Sequence, residues 1–196
     1  VRAYLSAAGL RGHIGELELR ELNEHTQPSE IESLLSLFSD PDGSPSDVGL
    51  ISEAGLPAVA DPGARLVALC HIHGIQVVPM VGPSSLMLAL MGSGLNGQCF
   101  AFCGYLPAKT DERRKAIREI ERRSSQLNQT EMFIETPYRN DSMMADLLAA
   151  LQPKTRLCIA ADITMPDETI MTRTVREWQK SPVVIGKRPC VFLILA

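Results

Sequence analysis

The chain has 196 residues, 45% of them hydrophobic and 21% charged, the make-up of an ordinary globular protein with material for one large domain or two modest ones. Its apolar runs fall far short of a membrane span, and no charged-then-apolar leader is seen; five cysteines, an odd number without metal spacing, read as free thiols of a reducing compartment, so the expected setting is the cytoplasm, away from membranes. A formal net charge of −4 argues against a surface built mainly to coat a nucleic-acid backbone, leaving room for a local basic patch.

Val1 is not an initiator methionine and the opening reads as helix, so a preceding amino-terminal piece is expected. Residues 28–38 predict a short helix: Ile31, Leu34, Leu35 and Phe38 recur at helical spacing, and Pro28 suits its first turn. A Pro/Gly/Ser/Asp loop over 40–47 leads to an apolar strand at 48–51 and then to a run of small residues, Ser52-Glu-Ala-Gly-Leu-Pro57. Asp61-Pro62 reads as a cap and first turn for a helix that stops at Gly74. A strand at 76–81 runs into Gly82-Pro-Ser-Ser85, and the helix that follows to Met91 is apolar on nearly every side, hence buried.

Past residue 97 the pattern changes. It predicts strands at 100–105, 131–135, 156–161, 170–175 and 190–195, with a highly charged helix at 109–123 and an amphipathic one at 141–151. Strand–helix alternation in the first half predicts a parallel sheet, and consecutive strands near the end predict a mixed one. The expected fold is α/β in two domains, 1–97 and 98–196, with a cofactor cleft between them.

Loops at the carboxyl ends of parallel strands form the ligand crevice of open α/β sheets. In 52–57, Ala54 and Gly55 can expose main chain to a ligand while Ser52 or Glu53 reaches its polar groups; a plain strand-to-helix connection is equally compatible. Gly82-Pro-Ser-Ser85 meets a helix amino terminus, where free N–H groups attract polar ligand atoms, yet no lysine makes it a Walker loop and it is not a dinucleotide fingerprint. Glu135-Thr-Pro-Tyr-Arg139 gathers polar groups at a third strand end. The helix from Asp111 to Arg123 has six basic residues and four acids; a solvated face with pairs such as Asp111/Lys115 and Glu119/Arg123 outweighs a nucleic-acid contact. Cys70, Cys99, Cys103, Cys158 and Cys190 lack metal spacing and read mostly as buried free thiols. His13, His25, His71 and His73 show no ligand pattern either. No metal site and no Ser-His-Asp or Cys-His arrangement is predicted.

The ordered set ISEAGLPAVADPGARLV, GIQVVPMVGPSS, ALMGSGL, GYLP, FIETPYR, IAADIT and TRTV, spread over most of the chain, resembles the tetrapyrrole (corrin/porphyrin) methylase superfamily, and within it the ribosomal RNA small-subunit methyltransferase I branch. The resemblance implies an S-adenosylmethionine-dependent methyltransferase, typically a homodimer, that releases S-adenosylhomocysteine and uses no metal. Carried over by position, the cofactor residues are Ser52, Glu53, Ala54, Gly55 and Pro57; Gly82, Pro83, Ser84 and Ser85; Ile134, Glu135, Thr136 and Pro137; and Thr172, Arg173 and Thr174. If the acceptor is a hydroxyl, the candidate bases are Glu53, Glu135, Tyr138 and Asp162. The family's first strand and its Pro/Gly-rich loop are absent from the chain. Glu53, Leu56, Tyr138 and Met165 stand where the ribosomal branch has Asp, Thr, His and Lys, so donor binding carries over better than the acceptor. A ribose hydroxyl of ribosomal RNA, with contact to the small subunit, is favoured over a tetrapyrrole. A binding module of the same fold without turnover is the expectation from another class, and a nucleotide hydrolase is a distant third.

Overall fold

The computed structural model describes residues 2–52 and 55–196, which fall into two compact units, 1–83 and 84–196.

The first unit carries α1 (Arg2–Leu5), α2 (Pro28–Ser33), continued by a 3-10 turn over Leu34–Phe38, and α3 (Ala64–Ile72). Helix α2 starts with a reciprocal capping box between Gln27 and Glu30 and has Pro28 in its first turn, which satisfies amides that would otherwise lack partners. Ile31, Leu66 and Cys70 form a small core, with Leu22, Phe38, Ile75 and Val77 packed around it. Asp61 is not the cap of α3: Gly63 occupies that position, at φ +136°, and no side chain among the described residues caps the helix. A β-carbon at 63 would stand 2.7 Å from Leu50 Cδ2, so the close approach of two chain segments explains the glycine.

The expected strands at 48–51 and 76–81 are not formed; both segments run without strand pairing. A strand exists through its ladder, and neither segment has a ladder partner among the described residues. Val78, Met80 and Val81 are accordingly exposed. The parallel sheet anticipated for the first half is therefore not seen.

The second unit begins with α4 (Ser85–Ser93) and continues through β1 (Phe100–Tyr105), α5 (Thr110–Leu127), β2 (Thr130–Ile134), α6 (Asn140–Ala150), β3 (Arg156–Ala161), β4 (Thr169–Thr174), α7 (Val175–Lys180) and β5 (Cys190–Leu195). The strands form one open mixed sheet in the order β1-β2-β5-β3-β4. The β1/β2 pair is parallel and the other pairs are antiparallel. Alternation splits the side chains between two faces. Met132, Cys158, Ala160, Val191 and Leu193 meet Leu86, Ala89 and Leu90 of α4. Phe133, Leu157, Ile159, Phe192 and Ile194 meet Ile117, Met143, Leu147 and Trp178 of α5, α6 and α7.

Helix α4, grouped with the first domain on sequence, thus packs in the second unit, and the division falls at 83/84 instead of near 97. The sheet covers one side of it and leaves Met87 and Met91 exposed, so the helix is not buried all round as its composition suggested; Gly92 lets it approach β4, where a β-carbon would lie 2.8 Å from Ile170 Cδ1. Helix α7 was not anticipated, and it takes Val175 from the predicted strand. Its cap is a reciprocal pair between Thr174 and Glu177.

Helix α5 is less of a solvated face than its charge suggests. Arg113 is buried, and its Nε donates to Asp146 Oδ2 at 2.7 Å, with further bonds to Ala108 O and Ser142 Oγ. Arg123 reaches across to the buried Glu131 of β2, not to Glu119, whose partner is Arg122. All five cysteines are free; Cys70, Cys158 and Cys190 are buried, while Cys99 and Cys103 are half-buried. Among the described residues no helix is long and apolar enough to cross a membrane, and no group of His, Cys, Asp and Glu side chains is placed to hold a metal ion.

Candidate functional site

In the first unit, the two small-residue bends lie against each other. Gly55 sits at φ +84°, a conformation that side-chain-bearing residues rarely adopt. Gly82 backs onto the same loop, and a β-carbon at 82 would come within 3.3 Å of Leu56 Cδ2. Ser52 and Pro57 flank Gly55 on the chain, Pro83 follows Gly82, and Glu53 and Ala54 lie outside the described residues. Just beyond, Ala58 and Ala60 also hold positive φ, at 64° and 55°. Such backbone costs about 1–2 kcal/mol per residue for an L side chain, and strain of this kind gathers at ligand sites. Ala58 N donates to Pro62 O at 3.2 Å, which fixes the loop internally.

In the second unit, Ser84 and Ser85 stand at the start of α4. Ser84 is extended and its Oγ accepts from Met87 N, so its side chain already caps the helix.

Register arranges the rest. Ile134 of β2 pairs with Val191, Val191 with Ala160, and Ala160 with Ile170, so one row crosses the sheet where β2 and β3 end. Glu135, Thr136, Pro137 and Tyr138 leave the sheet beyond this row, and so does Asp162. Thr172, Arg173 and Thr174 run the other way along β4. Thr174 pairs with Arg156 at the opposite end of β3, about 13 Å along the strands from the row of Ile134. The structure therefore brings 134–137 and Asp162 to one edge and leads 172–174 away from it. Thr172 Oγ1 donates to Ser93 O at 2.6 Å, Arg173 lies over the Trp178 ring at 4.9 Å, and Thr174 caps α7.

Two of the candidate bases are held by arginines. The buried Glu135 accepts from Arg139 Nε at 3.0 Å and from Thr136 N at 2.7 Å, all through Oε1. Asp162, at φ +50°, accepts from Arg188 Nε at 2.5 Å. Tyr138 is 79% exposed, with Lys187 Nζ 5.0 Å from its ring centroid. Asn140, not singled out from sequence, ties this edge together: buried at the start of α6, it donates to Gly186 O and Arg188 O. Its Oδ1 and Glu135 Oε2 are buried and meet no hydrogen-bond donor among the described residues. Two unmet acceptors five residues apart in sequence, beyond the carboxyl end of β2, make this edge receptive to a donor-bearing ligand or water. Only long-range pairing marks Asn140; its local sequence carries no such signal.

A family model described as Tetrapyrrole (Corrin/Porphyrin) Methylases matches residues 18–179. The chain is similar to Ribosomal RNA small subunit methyltransferase I of Neisseria meningitidis serogroup B, at 39% identity over 175 residues, covering 89% of this chain and 55% of the relative. It is also similar to the protein of that name from Vibrio cholerae serotype O1, at 33% identity, covering 80% of this chain and 51% of the relative. It thus spans about half the length of these curated relatives. Among solved structures its fold is similar to that of the methyltransferase CobJ, with a TM-score of 0.57 at 14% identity, covering 98% of this chain and 86% of that one. With the model matched over most of its length and these relatives alongside, the chain belongs to the tetrapyrrole (corrin/porphyrin) methylase family.

Proposed function

We propose that the protein is an S-adenosylmethionine-dependent methyltransferase whose acceptor is a ribose hydroxyl of small-subunit ribosomal RNA. The observation that carries this reading is the similarity at 32–39% identity to proteins named Ribosomal RNA small subunit methyltransferase I. Cytoplasmic location and a homodimeric state belong to the same proposal.

The residues fit the cofactor's chemistry. A ribose and an amino acid moiety bring hydroxyl and ammonium donors, for which Glu135 Oε2 and Asn140 Oδ1 are unmet acceptors. Flat purine surface suits bends without side chains, as at Gly55 and Gly82. The holding residues in this proposal are Ser52 to Gly55, Pro57, Gly82 to Ser85, Ile134 to Pro137, and Thr172 to Thr174. When bound, the cofactor supplies an electrophilic methyl group on a sulfonium.

The chain's own residues position the acceptor and take its proton. Transfer to an acceptor hydroxyl would require its proton to be taken up, by solvent or by a side chain at this edge. Alignment of donor and acceptor supplies most of the acceleration. Glu135 and Asp162 hold arginines and set loop geometry, whereas Tyr138, exposed beside Lys187, presents a hydroxyl that can reach solvent-borne substrate.

Calorimetry with S-adenosylmethionine, followed by incubation with labelled donor and either unmodified small ribosomal subunits or uroporphyrinogen, tests the proposal. Binding plus label in RNA is expected. Label in the tetrapyrrole would replace the acceptor, binding without transfer to either would favour a module without turnover, and no binding would end the enzyme reading.

A further inference from the structure

The net charge of −4 conceals a division. Residues 1–83 hold four Lys or Arg against eleven Asp or Glu, whereas residues 84–196 hold fifteen against twelve. The acidity belongs to the first unit, and the second is basic.

Within the second unit the acids are largely occupied. Asp146, Glu131, Glu135 and Asp162 each hold an arginine. Glu121 is buried, and its Oε1 accepts from Gln152 N at 2.7 Å and Thr155 Oγ1 at 2.5 Å. Glu121 thereby pins the turn over 152–156 against α5. The same turn holds α7 through Val175 N to Thr155 O and Arg176 N to Pro153 O, both at 2.9 Å. Around this turn stand Arg118, one helical turn before Glu121, then Lys154, Arg156 and Arg176. All four are exposed, and none forms a salt bridge among the described residues. Lys180 extends the patch along α7, where Glu177 is the acid present, its carboxylate bonded to Thr174.

We propose that this turn and its four free cations form a docking surface for the phosphate backbone of RNA, separate from the residues that hold the methyl donor. The inference rests on the ribosomal RNA reading above and adds where that RNA is gripped. Exposed cations without internal partners are what counterion release needs, because each contact with a phosphate frees a condensed ion. Their placement on two helices and a turn locked by buried hydrogen bonds keeps the spacing of the charges fixed.

The test compares the intact protein with K154Q/R156Q/R176Q and with K154R/R156K/R176K, which keeps every charge. Three readouts are taken: calorimetry with S-adenosylmethionine, methyl transfer to unmodified small subunits, and affinity for purified small-subunit ribosomal RNA from 0.05 to 0.3 M salt. The neutral variant is expected to bind S-adenosylmethionine unchanged. Its slope of log affinity against log salt should shrink by about 2, equivalent to about hundredfold weaker RNA binding at 0.1 M salt. The charge-keeping variant should match the parent. An unchanged slope in the neutral variant, or equal loss in the charge-keeping one, overturns the surface while the enzyme reading stands. A parent protein that neither binds nor methylates RNA would instead sink the ribosomal reading. If the neutral variant loses S-adenosylmethionine binding too, the surface is not separate from the donor site and the proposal fails in that form.

Discussion

Gly82 and Leu56 face each other so closely that a β-carbon on the glycine would stand 3.3 Å from the leucine's Cδ2. The contact joins the two bends proposed to receive the cofactor. Gly82→Ala should therefore displace Leu56 and its loop, weakening S-adenosylmethionine binding about tenfold, or ~1.4 kcal/mol, in the range of mild overpacking. Leu56→Ala in the same chain removes the obstruction and should restore most of the affinity. Calorimetry on the single and double variants decides it: an additive loss in the double variant would show that the contact does not shape the site.

The buried Arg113 carries a second prediction, about stability. Its guanidinium and the Asp146 carboxylate are 2% and 4% exposed, and Arg114 Nε bonds the other carboxylate oxygen at 2.7 Å. Removing one partner of a buried pair strands the other charge, at a cost of about 3–5 kcal/mol. Asp146→Ala should lower unfolding stability by that order in urea titrations. Arg118→Ala, on the exposed face of the same helix, should change it by less than about 0.5 kcal/mol. Equal effects from both variants would mean that the pair does not secure α5 to α6.

These two cases mark what was legible in the chain. Strands β1, β2, β3 and β5 could be read because they are short apolar runs bounded by turn residues, and burial on the sheet preserved that pattern. Arg113 could not: within α5 it looks like any solvated arginine, and its partner lies 33 residues away. The segments at 48–51 and 76–81 misled for the opposite reason, since apolar content promises a strand but only a paired neighbour makes one. Helix α7 was missed although Thr174 and Glu177 spell its capping box, because the β-branched residues before it carried the strand reading onward. The site proposed here is marked in the sequence by loops of small residues and by the Glu135 to Arg139 cluster. Its buried acceptor on Asn140 was not, for it depends on carbonyls of Gly186 and Arg188 far along the chain.

A pH prediction follows from Cys103. Burial, reinforced by the hydrogen bond to Glu131 and that carboxylate's charge, pushes its thiol up to about 11, against the opposing pull of Arg123. The folded value lies above the unfolded one, so this group's contribution to stability is complete below about pH 9 and is lost as pH rises through about 11. Alkylation mapped by mass spectrometry should find Cys103 nearly inert at pH 8 in the native protein, with reactivity rising towards pH 11. Glu131→Gln removes two of the three causes that raise the value, so its curve should shift to lower pH. A parent midpoint near pH 9 would refute the description of this cluster.

Tyr138 offers the sharpest test of the proposed chemistry. It is the exposed member of the described candidate bases, while Glu135 and Asp162 are engaged by Arg139 and Arg188. If its hydroxyl relays the acceptor's proton, Tyr138→Phe should reduce kcat about 10²–10⁴-fold and leave S-adenosylmethionine affinity within about twofold, since the ring and its contact with Lys187 persist. Glu135→Gln should behave differently. The buried carboxylate holds Arg139 and the Thr136 amide, so its loss should loosen the loop and raise the dissociation constant for the methyl donor along with any fall in kcat. Single-turnover transfer and calorimetry separate the two patterns. A Tyr138→Phe enzyme with undiminished kcat would remove the tyrosine from the chemistry and leave proton loss to solvent.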